Sequence, residues 1–133
     1  QFGKPGLPIH LRGKLAKRLG EFAQRSGDYA QAIQWYERTA QAAPALRGEM
    51  AYRLASCYEE GGDIEVAIAH YRAIRDPAWY VRGQLAAAKL FERQEQPKAA
   101  FAIYESLARR RTTESKIAKE HLAMLGGATG AGE

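Results

Sequence analysis

The residues most able to do chemistry in this chain are its cations, and three of them are evenly spaced. Leu11-Arg12-Gly13, Leu46-Arg47-Gly48 and Val81-Arg82-Gly83 recur at intervals of 35. Each triplet falls near the expected start of a helix, where the backbone dipole disfavours positive charge. Such a recurrence suits an acidic ligand, or else a duplicated unit whose arginines are simply solvated. Lys14, Lys17, Arg53 and Lys89 add further cations on the same segments, and Tyr52 adds an aromatic.

Other chemistries find little support. His10, His70 and His121 are far apart, and none has a partner at metal-ligand spacing. Gly61-Gly62 lacks the Lys-Ser/Thr that would make a phosphate-binding loop, and Glu59-Glu60 reads as solvated charge at a helix end. Cys57 is the sole cysteine, which rules out an internal disulfide and a multi-cysteine metal site. Its apolar neighbours Leu54, Ala55 and Tyr58 suggest a buried thiol acting as a small hydrophobe. No catalytic residue, metal, cofactor or small-molecule substrate is expected.

Composition sets the frame for these residues. Twenty Lys and Arg against fifteen Asp and Glu give 20 − 15 = +5, a mild excess that would favour acidic partners, although a basic but mixed solvated surface is the expected reading. A hydrophobic fraction of 46% and a charged fraction of 26% over 133 residues fit one domain with a modest core. No apolar run approaches the roughly 20 residues of a membrane span, so this segment is not expected to insert in a bilayer. The first residue is Gln1, so a processed product or an excised piece is expected, and the cellular location is left open.

The elements that must position the cations are read from self-similarity. Gly27-Asp28-Tyr29-Ala30-Gln31-Ala32-Ile33-Gln34-Trp35-Tyr36 is repeated in residue type by Gly62 to Tyr71 and more loosely by Glu95 to Tyr104. Tyr36, Tyr71 and Tyr104 give periods of 35 and then 33. A period of that size marks stacked helical repeats.

Leu11, Leu15, Leu19, Phe22 and Ala23 recur at three- and four-residue steps and predict an amphipathic first helix, with Pro8 at its first position. Asp28 caps a second helix that Pro44 ends. A third runs from Leu46 to Glu60, a fourth follows Asp63, and Asp76-Pro77 starts a fifth over residues 78–94. Gln96-Pro97 replaces glycine in the third break, and a sixth helix runs to about Arg111. Thr112 or Thr113 is placed to cap a seventh, carrying Ile117, His121, Leu122 and Leu125, which Gly126-Gly127 stops.

The chain is therefore expected to be all-α: a lead-in over 1–8, repeats over 9–44, 45–77 and 78–111, a capping helix over 112–125 and a flexible tail over 126–133. The cation register and the tyrosine register disagree by two residues, which predicts a shortened internal turn in one repeat. Trp35 and Trp79 are expected to pack between repeats, and Arg109-Arg110-Arg111 to complement a helix C-terminus.

From Gly13 to Arg111 the pattern resembles the tetratricopeptide repeat. Leu19-Gly20, Gly27, Tyr29, Ala32, Tyr36 and Pro44 match in the first copy, and Leu54, Ala55, Tyr58, Gly62, Ala67, Tyr71 and Pro77 in the second. Ala88, Phe91, Ala100 and Tyr104 match in the third, with Glu95 where glycine is usual. The resemblance implies an α-α superhelix, or solenoid, of three helix-turn-helix repeats plus the capping helix. It also implies a concave groove, lined by the first helix of each repeat, that holds a segment of a partner protein.

The groove set expected to contact an acidic peptide is Arg12, Lys14, Lys17, Arg47, Tyr52, Arg53, Arg82 and Lys89. A carboxylate clamp of the kind some family members carry is not expected. Lys17 matches one clamp lysine, but Glu21 and Ala86 have lost the required chemistry, and Arg53 and Arg82 replace other residue types. Two alternatives to a protein-binding scaffold are single-stranded RNA binding, which Glu21, Glu49, Glu59 and Glu92 oppose, and self-assembly into a homo-oligomer.

Overall fold

A computed structural model describes residues 6–110 and 114–129, with the side chains of 114–117 and 127–129 left aside. Over these residues the chain forms seven α-helices: α1 (Ile9–Arg25), α2 (Tyr29–Ala42), α3 (Arg47–Glu60), α4 (Ile64–Ala73), α5 (Pro77–Arg93), α6 (Pro97–Ala108) and α7 (Glu114–Thr129). A 3-10 turn, Pro44–Leu46, joins α2 to α3, and no strand occurs among the described residues. The fold class is an all-α helical repeat. The expected caps at Thr112 and Thr113 lie outside the described residues.

Local chemistry sets the helix ends. Asp28 accepts a hydrogen bond from the Gln31 N–H at 3.2 Å, and Asp76 accepts from the Ala78 N–H at 2.9 Å with Pro77 in the first turn. Each satisfies a donor that the helix itself leaves unpaired. Pro8 stands just before α1, not at its first position.

The three turns inside the repeats share one geometry. The N–H of Asp28 reaches the Ala23 carbonyl, that of Asp63 the Tyr58 carbonyl, and that of Gln96 the Phe91 carbonyl, each at 2.9 Å. This six-to-one bond needs a residue in the left-handed region just before it. Gly27 (φ 83°), Gly62 (φ 93°) and Glu95 (φ 58°) supply it. Glu95, not Gln96-Pro97, therefore makes the third turn.

Each of these turns leaves three residues between its helices, so no internal turn is shortened. The two-residue disagreement arises because Arg82 sits closer to its turn than Arg12 and Arg47 do to theirs. The even spacing of 35 therefore marks equivalent positions for Arg12 and Arg47 but not for Arg82; counting back from the turns, Arg82 matches Lys14 and Glu49.

The chain divides into two compact units, residues 1–70 and 71–133, with the boundary inside α4. In the first, α1 packs on α2, and α2 on α3 and the 3-10 turn. Its core gathers Ala23, Ala32, Tyr36, Met50 and Cys57, with Tyr29, Ile33, Ala40 and Leu46 packed against it. In the second, α5, α6 and α7 pack on one another around Leu85, Ala88, Leu90, Ile103, Tyr104, Leu107 and Leu125.

Two expectations about apolar faces change. The buried face of α1 is made of Gly13, Ala16, Gly20 and Ala23, while Leu11, Leu15, Leu19 and Phe22 are exposed. Small residues let α2 approach α1 closely. A Cβ at Gly20 would lie 2.6 Å from the Tyr36 ring, so this glycine is the seat of that ring. At the other end, α7 continues through Gly126 and Gly127 to Thr129, where the glycines and a flexible tail were expected to end it. Glycine costs an interior helix position about 1 kcal/mol relative to alanine but does not forbid it.

Candidate partner-binding surface

The eight candidate residues all fall on the first helix of a hairpin, but they do not form one set of free cations. In the first unit, α1 and α3 bring four charges together. Lys17 Nζ lies 2.9 Å from Glu49 Oε2, Arg53 Nε lies 2.9 Å from the same oxygen, and Arg53 Nη2 lies 3.3 Å from Glu21 Oε2. Two cations and two carboxylates leave this cluster electrically neutral. Glu21 of α1 is held by Arg53 of α3.

The cluster is half-buried, and the two carboxylate partners shape it. Burial would raise the Glu49 pKa, but hydrogen bonds from Lys17 and Arg53 and their charges outweigh it and hold the carboxyl below its usual range. For Arg53, burial would lower the pKa; the Glu49 bond and nearby carboxylate charges win and raise it. Partly exposed pairs of this kind contribute about 0–1 kcal/mol each, so the cluster sets helix register more than it stabilises. The Arg53 guanidinium also lies 6.0 Å from the Tyr36 ring centroid.

The remaining cations differ. Lys14 and Arg47 are exposed, and no acid pairs with either among the described residues. Arg12 is half-buried, and its Nε has no hydrogen-bond partner among the described residues. Tyr52 is half-buried on α3. Beside Arg47, residues Tyr36, Glu37, Ala40, Met50, Ala51 and Leu54 line an open, mainly apolar hollow of about 250 Å³ between α2 and α3.

In the second unit, Arg82 and Lys89 are exposed on α5, with the Arg82 guanidinium 4.5 Å from the centroid of Trp79. Trp35 carries Arg38 in the same way, at 4.7 Å. Both tryptophans thus present a face to a cation of their own helix. Sequence reasoning missed Tyr80, which has Arg110 4.8 Å and Arg75 5.9 Å from its ring centroid. Arg110 comes from α6's end, thirty residues away (110 − 80), and no local pattern announces the contact.

The candidates for covalent chemistry are otherwise engaged. Cys57 is fully buried, and burial, with the nearby Glu60, pushes its thiol up to about 12. His70 stacks on Tyr58 with ring centroids 4.8 Å apart. His121 stacks on Tyr104 at 4.9 Å and places Nδ1 3.5 Å from Glu92 Oε2. Among the described residues no cluster of three or more metal-binding side chains occurs, and no helix is long and apolar enough to cross a membrane.

Equal turns, buried tyrosines at the repeat period and small-residue seats between helices define a stacked helical-hairpin repeat. The family model of the tetratricopeptide repeat matches residues 49–76, most of α3 and all of α4. The match supports a tetratricopeptide repeat at these residues. Repeats of this family are generally protein–protein interaction modules and typically non-catalytic scaffolds. No curated protein matches the chain.

Proposed function

We propose that this chain is a non-catalytic scaffold that holds an acidic segment of a partner protein against the first helices of its hairpins. The division among the cations of α1 and α3 supports this reading. Lys17 and Arg53 are tied to Glu49 and Glu21, whereas Lys14 and Arg47 stand exposed without an acid beside them. Long-range attraction then comes from Arg12, Lys14 and Arg47. Lys17 and Arg53, already held in place, are donors that an incoming carboxylate can share, and Tyr52 offers an apolar ring with a polar tip. In the second unit, Arg82 and Lys89 are exposed cations of the same kind on α5.

The test is titration of a dye-labelled glutamate-rich peptide, and of its glutamine counterpart, into the chain and its Arg47→Glu and Arg53→Glu variants. The glutamate peptide should bind more tightly, lose affinity as salt rises and weaken about threefold or more with Arg47→Glu, a change typical of exposed charge pairs across interfaces. Equal binding of the two peptides, or no response to either reversal, rejects the acidic-segment reading. Tighter capture of a single-stranded oligonucleotide, with a steep salt dependence, moves the assignment to nucleic acid.

A further inference from the structure

The first helix carries an apolar face that its own hairpin leaves open. Leu11, Leu15, Leu19 and Phe22 are 37%, 43%, 41% and 65% exposed. At 3.6 residues per turn they lie within about 80° of arc, so they form one stripe along α1. Scattered exposed leucines need no explanation, but a contiguous stripe does.

The next repeat shows what such a stripe meets. Gly27 and Gly62 fix the register between α1 and α3, and a step of 35 carries Leu11, Leu15, Leu19 and Phe22 onto Leu46, Met50, Leu54 and Cys57. Met50 and Cys57 are 1% and 0% exposed in the core with Ala32 and Tyr36 of α2. Leu46 packs against that cluster, and Leu54 lines the hollow with Tyr36 and Ala40. All four counterparts therefore face α2. The same step places Lys14 on Glu49 and Arg18 on Arg53, the two residues of α3 that pair with Lys17 and Glu21.

Lys14 and Arg18 are both exposed cations without an ion pair among the described residues, and Arg25 lies on the same side of the stripe. Where Glu49 and Arg53 of α3 alternate in charge, Lys14, Arg18 and Arg25 of α1 are all positive. We propose that this face of α1 docks an amphipathic α-helix of a partner protein, with an apolar ridge over Leu11, Leu15, Leu19 and Phe22 and carboxylates spaced to reach Lys14 and Arg18. A second copy of this chain paired through the same face would set Lys14, Arg18 and Arg25 against their own kind. That like-charge contact disfavours self-pairing. The surface shares Lys14 with the one proposed above, whereas Arg18 and Leu15 belong only to this one.

The experiment uses two stapled helical peptides with identical leucine ridges, one flanked by glutamates four residues apart and the other by lysines. Each is titrated into the isotopically labelled chain while the methyl and ring signals of Leu11, Leu15, Leu19 and Phe22 are followed. The glutamate peptide should shift these signals and saturate. Leu15→Asp should weaken it about tenfold, the effect of removing one well-buried leucine contact. Arg18→Glu, an exposed change that leaves the fold intact by circular dichroism, should lower affinity for the glutamate peptide and raise it for the lysine peptide.

Absence of shifts at the stripe overturns the proposal, as does equal affinity for both peptides that Arg18→Glu leaves unchanged. A concentration-dependent dimer abolished by Leu15→Asp, with no peptide binding, assigns the face to a second copy and also overturns it. Weakened peptide capture by Arg47→Glu with unaltered stripe binding would separate the two surfaces.

Discussion

Tyr36 and Tyr104 occupy the same repeat position, are fully buried, and each donates its hydroxyl to the residue twelve places earlier. There the likeness ends. Tyr36 donates to the amide oxygen of Gln24 at 2.6 Å, and Gln24 passes its own N–H on to Ser56 at 3.0 Å. Tyr104 donates at 2.5 Å to the carboxylate of Glu92, which also faces His121 on α7. The first unit thus gives its tyrosine hydroxyl a neutral acceptor, the second a charged one. A repeat needs the ring and the distance; the acceptor is free to vary, and it decides how each unit responds to deletion and to pH.

The largest expected effects concern the seat of the ring. Gly20→Ala adds a Cβ 2.6 Å from Tyr36, and the gain in helix propensity does not offset the clash. A destabilisation of about 1–3 kcal/mol is expected from overpacking of this kind. The second unit already carries Ala88, fully buried, at the matching distance from its turn, so Ala88→Gly should cost only about 1 kcal/mol in helix propensity and lost contact. Urea unfolding followed by circular dichroism measures both. A Gly20→Ala chain as stable as wild type would mean that the tyrosine seats are interchangeable.

Removing the hydroxyls sharpens the difference in acceptor. Tyr104→Phe leaves a half-buried carboxylate without its donor and should cost about 1–3 kcal/mol, whereas Tyr36→Phe leaves an amide that can turn elsewhere and should cost about 1 kcal/mol. The pH response follows. Burial, the bond to Glu92 and its negative charge raise the Tyr104 pKa well above its usual 10.0. The folded chain then holds that proton more tightly than the unfolded one, so this stabilisation is complete below about pH 10 and erodes as pH rises further. Burial raises Tyr36 too, but Arg53 opposes it. The alkaline fall in melting temperature should therefore flatten more in Tyr104→Phe than in Tyr36→Phe, with Cys57→Ala removing an earlier component that begins above pH 9.0. Equal flattening by the two phenylalanine variants would erase the distinction drawn here.

Much of this architecture was legible in residue types because backbone geometry leaves a mark on them. A left-handed turn selects glycine, a cap selects aspartate, and a close helix contact selects alanine or glycine beside a large ring. Hence the helices and the buried tyrosines could be placed from Gly27, Asp28, Ala32 and Tyr36 and their later copies. Periodicity tells which residues of α1 share an apolar face, Leu11, Leu15, Leu19 and Phe22, but not whether anything covers it, and it is Gly13, Ala16 and Gly20 that are buried. The partners of the candidate cations were hidden for a different reason. Lys17 and Glu49 are 32 residues apart (49 − 17), and only the packing of α1 and α3 in three dimensions makes them a pair. Regular spacing also misled: Arg82 repeats Arg12 and Arg47 in number, while the turn at Glu95 sets its true register.

That turn gives the smallest predicted effect. Glu95 takes φ 58° where its two counterparts are glycines at 83° and 93°. A left-handed conformation costs a residue with a Cβ roughly 1–2 kcal/mol, and glycine in its place returns part of that through greater freedom in the unfolded chain. The Glu95 side chain is exposed, so little else is lost with it. Glu95→Gly should accordingly stabilise the chain by about 0.5–1 kcal/mol, the difference between relieved strain and added unfolded-state entropy. The same exchange in reverse, Gly62→Glu, should destabilise by a similar amount, since nothing within 4 Å would obstruct its Cβ and strain alone is at issue. Melting curves of the two single variants and the double variant measure this directly. If Glu95→Gly lowered stability, Glu95 would have to hold the turn by its side chain, and the third hairpin would no longer be built as the first two are.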